Sequence, residues 1–268
     1  MKTRRTFLLA ALALGGVACG EDDAGPILAP TPPIAFVRYV HIVPDTSSMD
    51  WRPIDAIENS PEALNLQFRA NTPYRAMGAG ARRLRIFPTS TNINVTSQIV
   101  VDTTITFTPN TYYTLIHIGL ARPGQTPADR IWVIEDAIPA SIASGQVALR
   151  VINAAVGLGS VDVESATAAA GPFTSLAAGV AYGTAGTYRT VPTGALVLRA
   201  NTAGTTTNIA AAATAPAGVA AGGGLSAAGG STIGGSALTA IVVPRSVAGS
   251  AAANFTAPGI IYLVDKAP

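Results

Sequence analysis

Histidine and aspartate are the side chains of this 268-residue chain that are suited to acid–base or metal chemistry. His41 and His117, the only histidines, lie in β-forming runs, and neither is accompanied by a cluster of Cys, His or acidic residues. A zinc site takes three or four such ligands, and a calcium site takes six to eight oxygen ligands. We therefore predict no metal and no cofactor, and we expect both histidines to be structural.

Asp50 and Asp162 recur at equivalent places in two similar stretches, so they are candidates for a catalytic acid. An aspartate at the start of a strand more often caps a turn through its carboxylate oxygens. The sequence also lacks a Gly-x-Ser-x-Gly motif, the turn that presents the nucleophile in a large class of hydrolases. These observations predict a protein that is not an enzyme.

Two Tyr–Arg pairs and both tryptophans are candidates for a binding surface, because exposed aromatic and arginine side chains are common in such surfaces. The candidates are Tyr74, Arg75, Tyr188, Arg189, Trp51 and Trp132. In the alternative arrangement each tyrosine packs in the core beside a turn, and its arginine is solvated. The tryptophans either stack on sugar rings, if they are exposed, or fill the core, if they are buried.

The elements that position these residues occur twice. Residues 37–50, VRYVHIVPDTSSMD, are matched by residues 149–162, LRVINAAVGLGSVD, with arginine and aspartate at the same two positions. The correspondence continues with residues 74–80 and 188–194, with Thr114 and Thr239, and with Val264-Asp265, which aligns with Glu135-Asp136 or the position next to it. The spacing grows between Arg199 and Thr239, where a run rich in Gly and Ala predicts an inserted loop or weak edge ribbon.

Each copy consists of short β-forming runs separated by turns, with no long helical period. About seven strands in each copy predict an all-β protein of two tandem antiparallel Ig-like β-sandwich domains. We place the domains at residues 34–139 and 146–268, with a linker at residues 140–145. Residues 58–66 are predicted to form a helical turn or a loop excursion.

The first 33 residues are predicted to be an export signal and a tether. Positive residues precede an apolar run at residues 7–17, which is too short to span a bilayer. Residues 16–19, Gly-Val-Ala-Cys, resemble the lipobox of bacterial lipoproteins, although Gly16 stands where leucine is usual. We predict a signal peptide over residues 1–18, and a lipidated Cys19 that begins a Pro-rich linker over residues 19–33. A soluble secreted protein is the alternative, and both the general secretory and the twin-arginine routes stay open.

Charge and composition limit the classes of partner that this chain could bind. Charged residues make up 12% of the chain, and three of its positive side chains lie within the first five positions. The remainder is close to neutral, so we predict no binding of nucleic acid. The expected partners are the membrane, through the lipid on Cys19, and an envelope protein or glycan. The expected location is the cell envelope, at the outer membrane or the cell surface.

Three segments resemble the DUF4397 family of bacterial domains. They are residues 37–45 (VRYVHIVPD), residues 107–114 (FTPNTYYT), and residues 188–194 (YRTVPTG) with the following Leu198-Arg199. The resemblance covers most of residues 36–268 as two copies, and it implies a secreted or lipid-anchored surface protein with no defined activity. The second copy departs from the pattern, because Asn153 replaces His41 and Gly157 replaces Asp45.

Two functions from different classes follow from the sequence. The first is a non-catalytic, lipid-anchored cell-envelope protein that displays two β-sandwich modules for adhesion, envelope structure or partner binding. The alternative is a secreted or surface polysaccharide-binding module that uses the tryptophans or the Tyr–Arg pairs.

Overall fold

The computed structural model describes residues 32–55, 63–250 and 254–268. The predicted signal peptide, Cys19 and almost all of the predicted tether lie outside these residues. The described part of the chain is nearly all β-structure and contains one short helix, α1 (Ile93–Thr96). It contains no helix that is both long enough and apolar enough to cross a membrane.

The first half of the described chain folds into two four-stranded sheets. The strands are β1 (Ile34–His41), β2 (Met49–Pro53), β3 (Ala63–Leu66), β4 (Arg75–Gly78), β5 (Gly80–Pro88), β6 (Val101–Phe107), β7 (Tyr112–Ile118) and β8 (Arg130–Glu135). The first inner sheet has the order β4-β1-β7-β8, and the first outer sheet has the order β3-β2-β5-β6. Together they form the first sandwich.

The second half builds a second sandwich with the same strand order. Its strands are β9 (Gln146–Asn153), β10 (Val161–Ala166), β11 (Thr174–Val180), β12 (Thr184–Ala185), β13 (Arg189–Pro192), β14 (Val197–Thr202), β15 (Asn208–Thr214), β16 (Ala237–Val243) and β17 (Gly259–Lys266). The second inner sheet has the order β12-β9-β16-β17, and the second outer sheet has the order β11-β10-β14-β15. β13 also pairs with β9, so β12 and β13 together take the place that β4 has in the first sandwich.

The predicted all-β sandwich fold is confirmed, and each inner sheet also contains one parallel ladder that the sequence did not indicate. β1 runs parallel to β7 and aligns Arg38 with Thr114, whereas β9 runs parallel to β16 and aligns Arg150 with Thr239. The predicted helical turn at residues 58–66 is wrong at its end, because residues 63–66 are β3 and pair with β2.

Three apolar layers hold the four sheets together. The layer inside the first sandwich contains large side chains such as Tyr39, Trp51 and Phe107, which are at most 1% exposed. The layer inside the second sandwich consists mainly of valine, leucine and alanine. The third layer lies between the two inner sheets and contains Val40, Ile116, Ile152 and Ile241. Because burial of apolar area stabilises at about 25 cal/mol per Å², this shared layer joins the sandwiches into one compact unit.

Candidate functional site

A buried ring of charged and polar side chains lies between the two inner sheets. Its members are Arg38, Thr114, Asp136, Arg150, Thr239 and Asp265. None of them is more than 6% exposed. Side chains alternate along a strand, so Arg38 points to the same face of β1 as Val40 and continues the third apolar layer as a polar patch.

The two arginines of the ring cross between the sandwiches. Nη2 of Arg38, in the first sandwich, lies 2.5 Å from Oδ1 of Asp265 in the second. Nη2 of Arg150, in the second sandwich, donates to Oδ1 of Asp136 in the first. Each sandwich therefore supplies the counter-ion for the arginine of the other.

The two threonines close the ring within each sandwich. Thr114 Oγ1 accepts from Nε of Arg38 at 2.8 Å and donates to Oδ2 of Asp136 at 2.6 Å. Thr239 makes the same two bonds, at 2.7 and 2.6 Å, between the arginine and the aspartate of the second sandwich. The hydrogen bonds thus run from arginine to threonine to aspartate, across to the other arginine, and back.

A tyrosine from each predicted Tyr–Arg pair covers the ring. The hydroxyl of Tyr74 donates to Asp136 at 2.7 Å, and the guanidinium of Arg38 lies 4.5 Å from the tyrosine ring centre. The hydroxyl of Tyr188 donates to Asp265 at 2.9 Å, and the other ring arginine lies 4.8 Å from its ring centre. Burial raises the pKa of both hydroxyls well above the usual tyrosine value, and the nearby carboxylates raise it further.

The ring is electrostatically balanced, with two positive and two negative groups. Burial alone would lower the pKa of Arg150, but Asp136 and its other acidic neighbours hold that pKa above its usual value. Buried charges are tolerated when they are paired and fully hydrogen-bonded, and the loss of one partner is costly. The ring therefore stabilises one relative arrangement of the two sandwiches.

The other predicted binding residues lie apart from this ring. Trp51 is fully buried in the first sandwich, 5.0 Å from Tyr39 between ring centres, and so it belongs to the core. Trp132 is half-buried and packs against the third apolar layer. Arg75 and Arg189 are exposed on equivalent strands of the two inner sheets. The six candidates do not form one surface.

The recurrent aspartates hold neighbouring loops. The carboxylate of Asp50 accepts from the backbone N–H of Asn65 at 2.9 Å and from the hydroxyl of Thr89 at 2.5 Å. Burial raises the pKa of Asp50, but these bonds and Arg52 outweigh it and leave that pKa below its usual value. The carboxylate of Asp162 accepts from two backbone N–H groups in the same manner, at 2.7 and 2.8 Å.

The two histidines meet in the first sandwich, because the parallel ladder aligns His41 on β1 with His117 on β7. Their Nδ1 atoms are 3.2 Å apart, and their rings stack with centres 5.2 Å apart. Nε2 of His117 lies 2.9 Å from Asp129, and Nε2 of His41 lies 3.2 Å from the carbonyl oxygen of Ser47. This is a continuous chain of hydrogen bonds from a partly exposed carboxylate into the core.

Two groups besides His117 lie around the ring nitrogens of His41. The carbonyl oxygen of Ser47 can only accept a hydrogen bond from Nε2, whereas the hydroxyl of Thr46, 3.1 Å from the same nitrogen, can donate or accept. Burial and the charge of His117 lower the pKa of His41 well below its usual value. Both rings are fully buried, so the pair is packed as part of the core.

Within the described ranges, no three His, Cys, Asp or Glu side chains are grouped closely enough to hold a metal ion.

Several residues of the ring were visible in the sequence only as repeated positions. Thr114 and Asp136 match Thr239 and Asp265 along the two copies, and this recurrence of buried polar residues is the signal that points to the ring. Asp129 carries no such signal, because it lies in the loop before β8 and the sequence around it does not recur.

A DUF4397 domain, described as a domain of unknown function, is found at residues 35–164. The match begins in β1 and continues past the predicted boundary at Pro139, through β9 and into β10. No curated protein matches the chain. Among solved structures, one match is a leucine-rich repeat protein from Bacteroides thetaiotaomicron, at 8% identity and a TM-score of 0.18, covering 81% of this chain and 27% of that protein.

Proposed function

We propose that this chain is a non-catalytic, lipid-anchored cell-envelope protein. It displays two tandem DUF4397 modules as one rigid body, for adhesion, envelope structure or partner binding. The predicted export signal, the lipobox-like residues 16–19 and the Pro-rich residues 26–33 support an anchored body at the end of a tether. A diacylglycerol group and an amide-linked chain on Cys19 would together be sufficient for stable anchoring.

Three observations support the tandem organisation. Residues 35–164 match the family, and the second sandwich has the strand order of the first. The arginine, tyrosine, threonine and aspartate of the ring also occur at equivalent places in both sandwiches. A duplicated module explains why both halves contribute the same four residue types to one interface.

The crossed ring is the observation that carries the proposal. Any movement of one sandwich against the other would leave two arginines and two aspartates buried without partners. Exposing these four groups to solvent instead would disrupt the third apolar layer. The two modules are consequently held in one orientation. A nearly neutral body of fixed shape on a tether suits display or spacing at a surface.

The ring also bears on the polysaccharide alternative. That function needs exposed aromatic rings, whereas Trp51 is buried and the hydroxyls of Tyr74 and Tyr188 are engaged by carboxylates. The proposed function therefore does not include glycan binding through those residues.

The test is metabolic labelling with a fatty-acid analogue in cells that express the wild type or Cys19→Ala, followed by membrane fractionation. We expect label and membrane association in the wild type, and loss of both in the variant. Protease treatment of intact cells then reports whether the sandwiches face the exterior. Unlabelled wild-type protein in the culture medium would contradict the proposed lipid anchor. Label that persists in Cys19→Ala would mean that the lipid is attached to another residue.

A further inference from the structure

The second sandwich contains a cavity of about 220 Å³ that reaches into its apolar layer. Leu149 and Val151 of β9 form the floor and are at most 4% exposed. Leu176 and Ala177 of β11 form a half-buried wall. The interior surface is therefore made of aliphatic side chains.

The cavity corresponds to a difference between the two sandwiches. Tyr39 directly follows the ring arginine of β1, and the equivalent residue after the ring arginine of β9 is Val151. Trp51 directly follows Asp50, and the equivalent residue after Asp162 is Val163. In the first sandwich the tyrosine and tryptophan rings pack together with centres 5.0 Å apart and fill the core. The second sandwich has the smaller valine at both positions, and one of these valines, Val151, lines the cavity.

The rim of the cavity is polar. Thr187 and Arg189 line it and are exposed. Nη1 of Arg189 donates to the carbonyl oxygen of Leu176 at 3.2 Å, and the guanidinium makes no ion pair within the described residues. An arginine with remaining N–H donors beside an apolar cavity is suited to a ligand with an anionic head and an aliphatic chain.

We propose that the second sandwich binds a medium-chain carboxylate, with the chain in the cavity and the carboxylate at Arg189. A dry cavity of about 150 Å³ is sufficient for benzene, so the space here suits a chain of about seven or eight carbon atoms. The first sandwich, with its aromatic core, does not share the site. The proposal is independent of the lipid on Cys19.

The experiment is calorimetric titration of the full chain carrying Cys19→Ala, purified without detergent, with butanoate, hexanoate, octanoate and decanoate. We expect the affinity to rise by about fourfold for each added methylene, because each buried CH₂ contributes a constant increment. The increase should stop once the chain exceeds the cavity, near octanoate. Absence of binding by all four acids overturns the proposal.

Three variants locate the site. Arg189→Gln should weaken the binding of octanoate by about tenfold while leaving the binding of 1-octanol unchanged. Ala177→Leu should weaken the binding of both compounds, because the leucine side chain enters the cavity. Arg75→Gln is the matched control, since Arg75 occupies the equivalent strand of the first sandwich and is also exposed. Equal losses from Arg75→Gln and Arg189→Gln, or octanoate binding that Ala177→Leu leaves intact, would place the ligand elsewhere and overturn the assignment.

Discussion

Arg38 of the first sandwich donates to Asp265 of the second across 2.5 Å, in a position where both side chains are at most 6% exposed. The reciprocal pair joins Arg150 to Asp136. A single buried pair can be replaced by apolar residues without loss of stability, but a pair that is broken on one side leaves a buried charge. The two crossed pairs therefore act mainly on the relative orientation of the sandwiches, and the apolar layer beside them supplies the stabilisation.

Asp265→Asn is expected to lower the free energy of unfolding by about 3 to 5 kcal/mol, because it leaves Arg38 buried without a counter-ion. Urea unfolding followed by circular dichroism measures the loss. Asp102→Asn is the control, since its carboxylate binds Arg83 and Arg85 on the exposed face of the first outer sheet, and it should change stability little. Comparable losses in the two variants would contradict the role assigned to the ring.

Tyr74 and Tyr188 are expected to stay protonated in the folded protein at a pH where free tyrosine ionises. Burial, with the nearby carboxylates, raises the pKa of each hydroxyl above the unfolded value of about 10. A raised folded pKa favours the protonated state, so the contribution to stability is present below about pH 10 and is lost as the pH rises further. Unfolding at alkaline pH should therefore release protons.

Phenolate absorbance during an alkaline titration checks this expectation. The native curve should lack the signal of these tyrosines, and unfolding in urea should restore it. In the double variant Tyr74→Phe, Tyr188→Phe the native curve should be unchanged, while the signal gained on unfolding should be smaller. A native curve that loses amplitude in the double variant would show that the two hydroxyls ionise freely.

His41→Asn is expected to reduce the loss of stability in acid. Burial and the charge of His117 lower the folded pKa of His41, so the unfolded chain binds the additional proton. Stability from this group is present above the unfolded pKa of about 6.5 and is lost below it, with a slope approaching about 1.4 kcal/mol per pH unit. Asparagine is the residue that the second sandwich has at the equivalent place, Asn153.

The measurement is urea unfolding of wild type and His41→Asn at several pH values on either side of about 6.5. The difference between the two pH slopes reports the replacement of His41, including the loss of its contact with His117. Identical slopes would mean that His41 has the same pKa in the folded and unfolded states, and would contradict the lowered folded pKa.

The strands were predictable from the sequence, but the partners of their side chains were not. Alternation and recurrence placed Arg38 and Arg150 at one position of two copies. A repeat shows which residues are equivalent, however, and not that one copy binds the other. The meeting of His41 with His117 depends on the parallel pairing of β1 and β7, which periodicity within a strand cannot reveal. Whether Trp51 faced the core or solvent depended on the pairing of β2 as well.

Trp51→Val is expected to lower the free energy of unfolding by about 3 to 5 kcal/mol, because it removes a fully buried indole and leaves a cavity. Valine is the residue at the equivalent position of the second sandwich, so the substitution is compatible with the strand itself. Trp132→Val applies the same chemical change to a half-buried ring and should lose less than about 2 kcal/mol. Urea unfolding monitored by circular dichroism compares the two. A larger loss from Trp132→Val than from Trp51→Val would mean that the third apolar layer, and not the aromatic core of the first sandwich, limits stability.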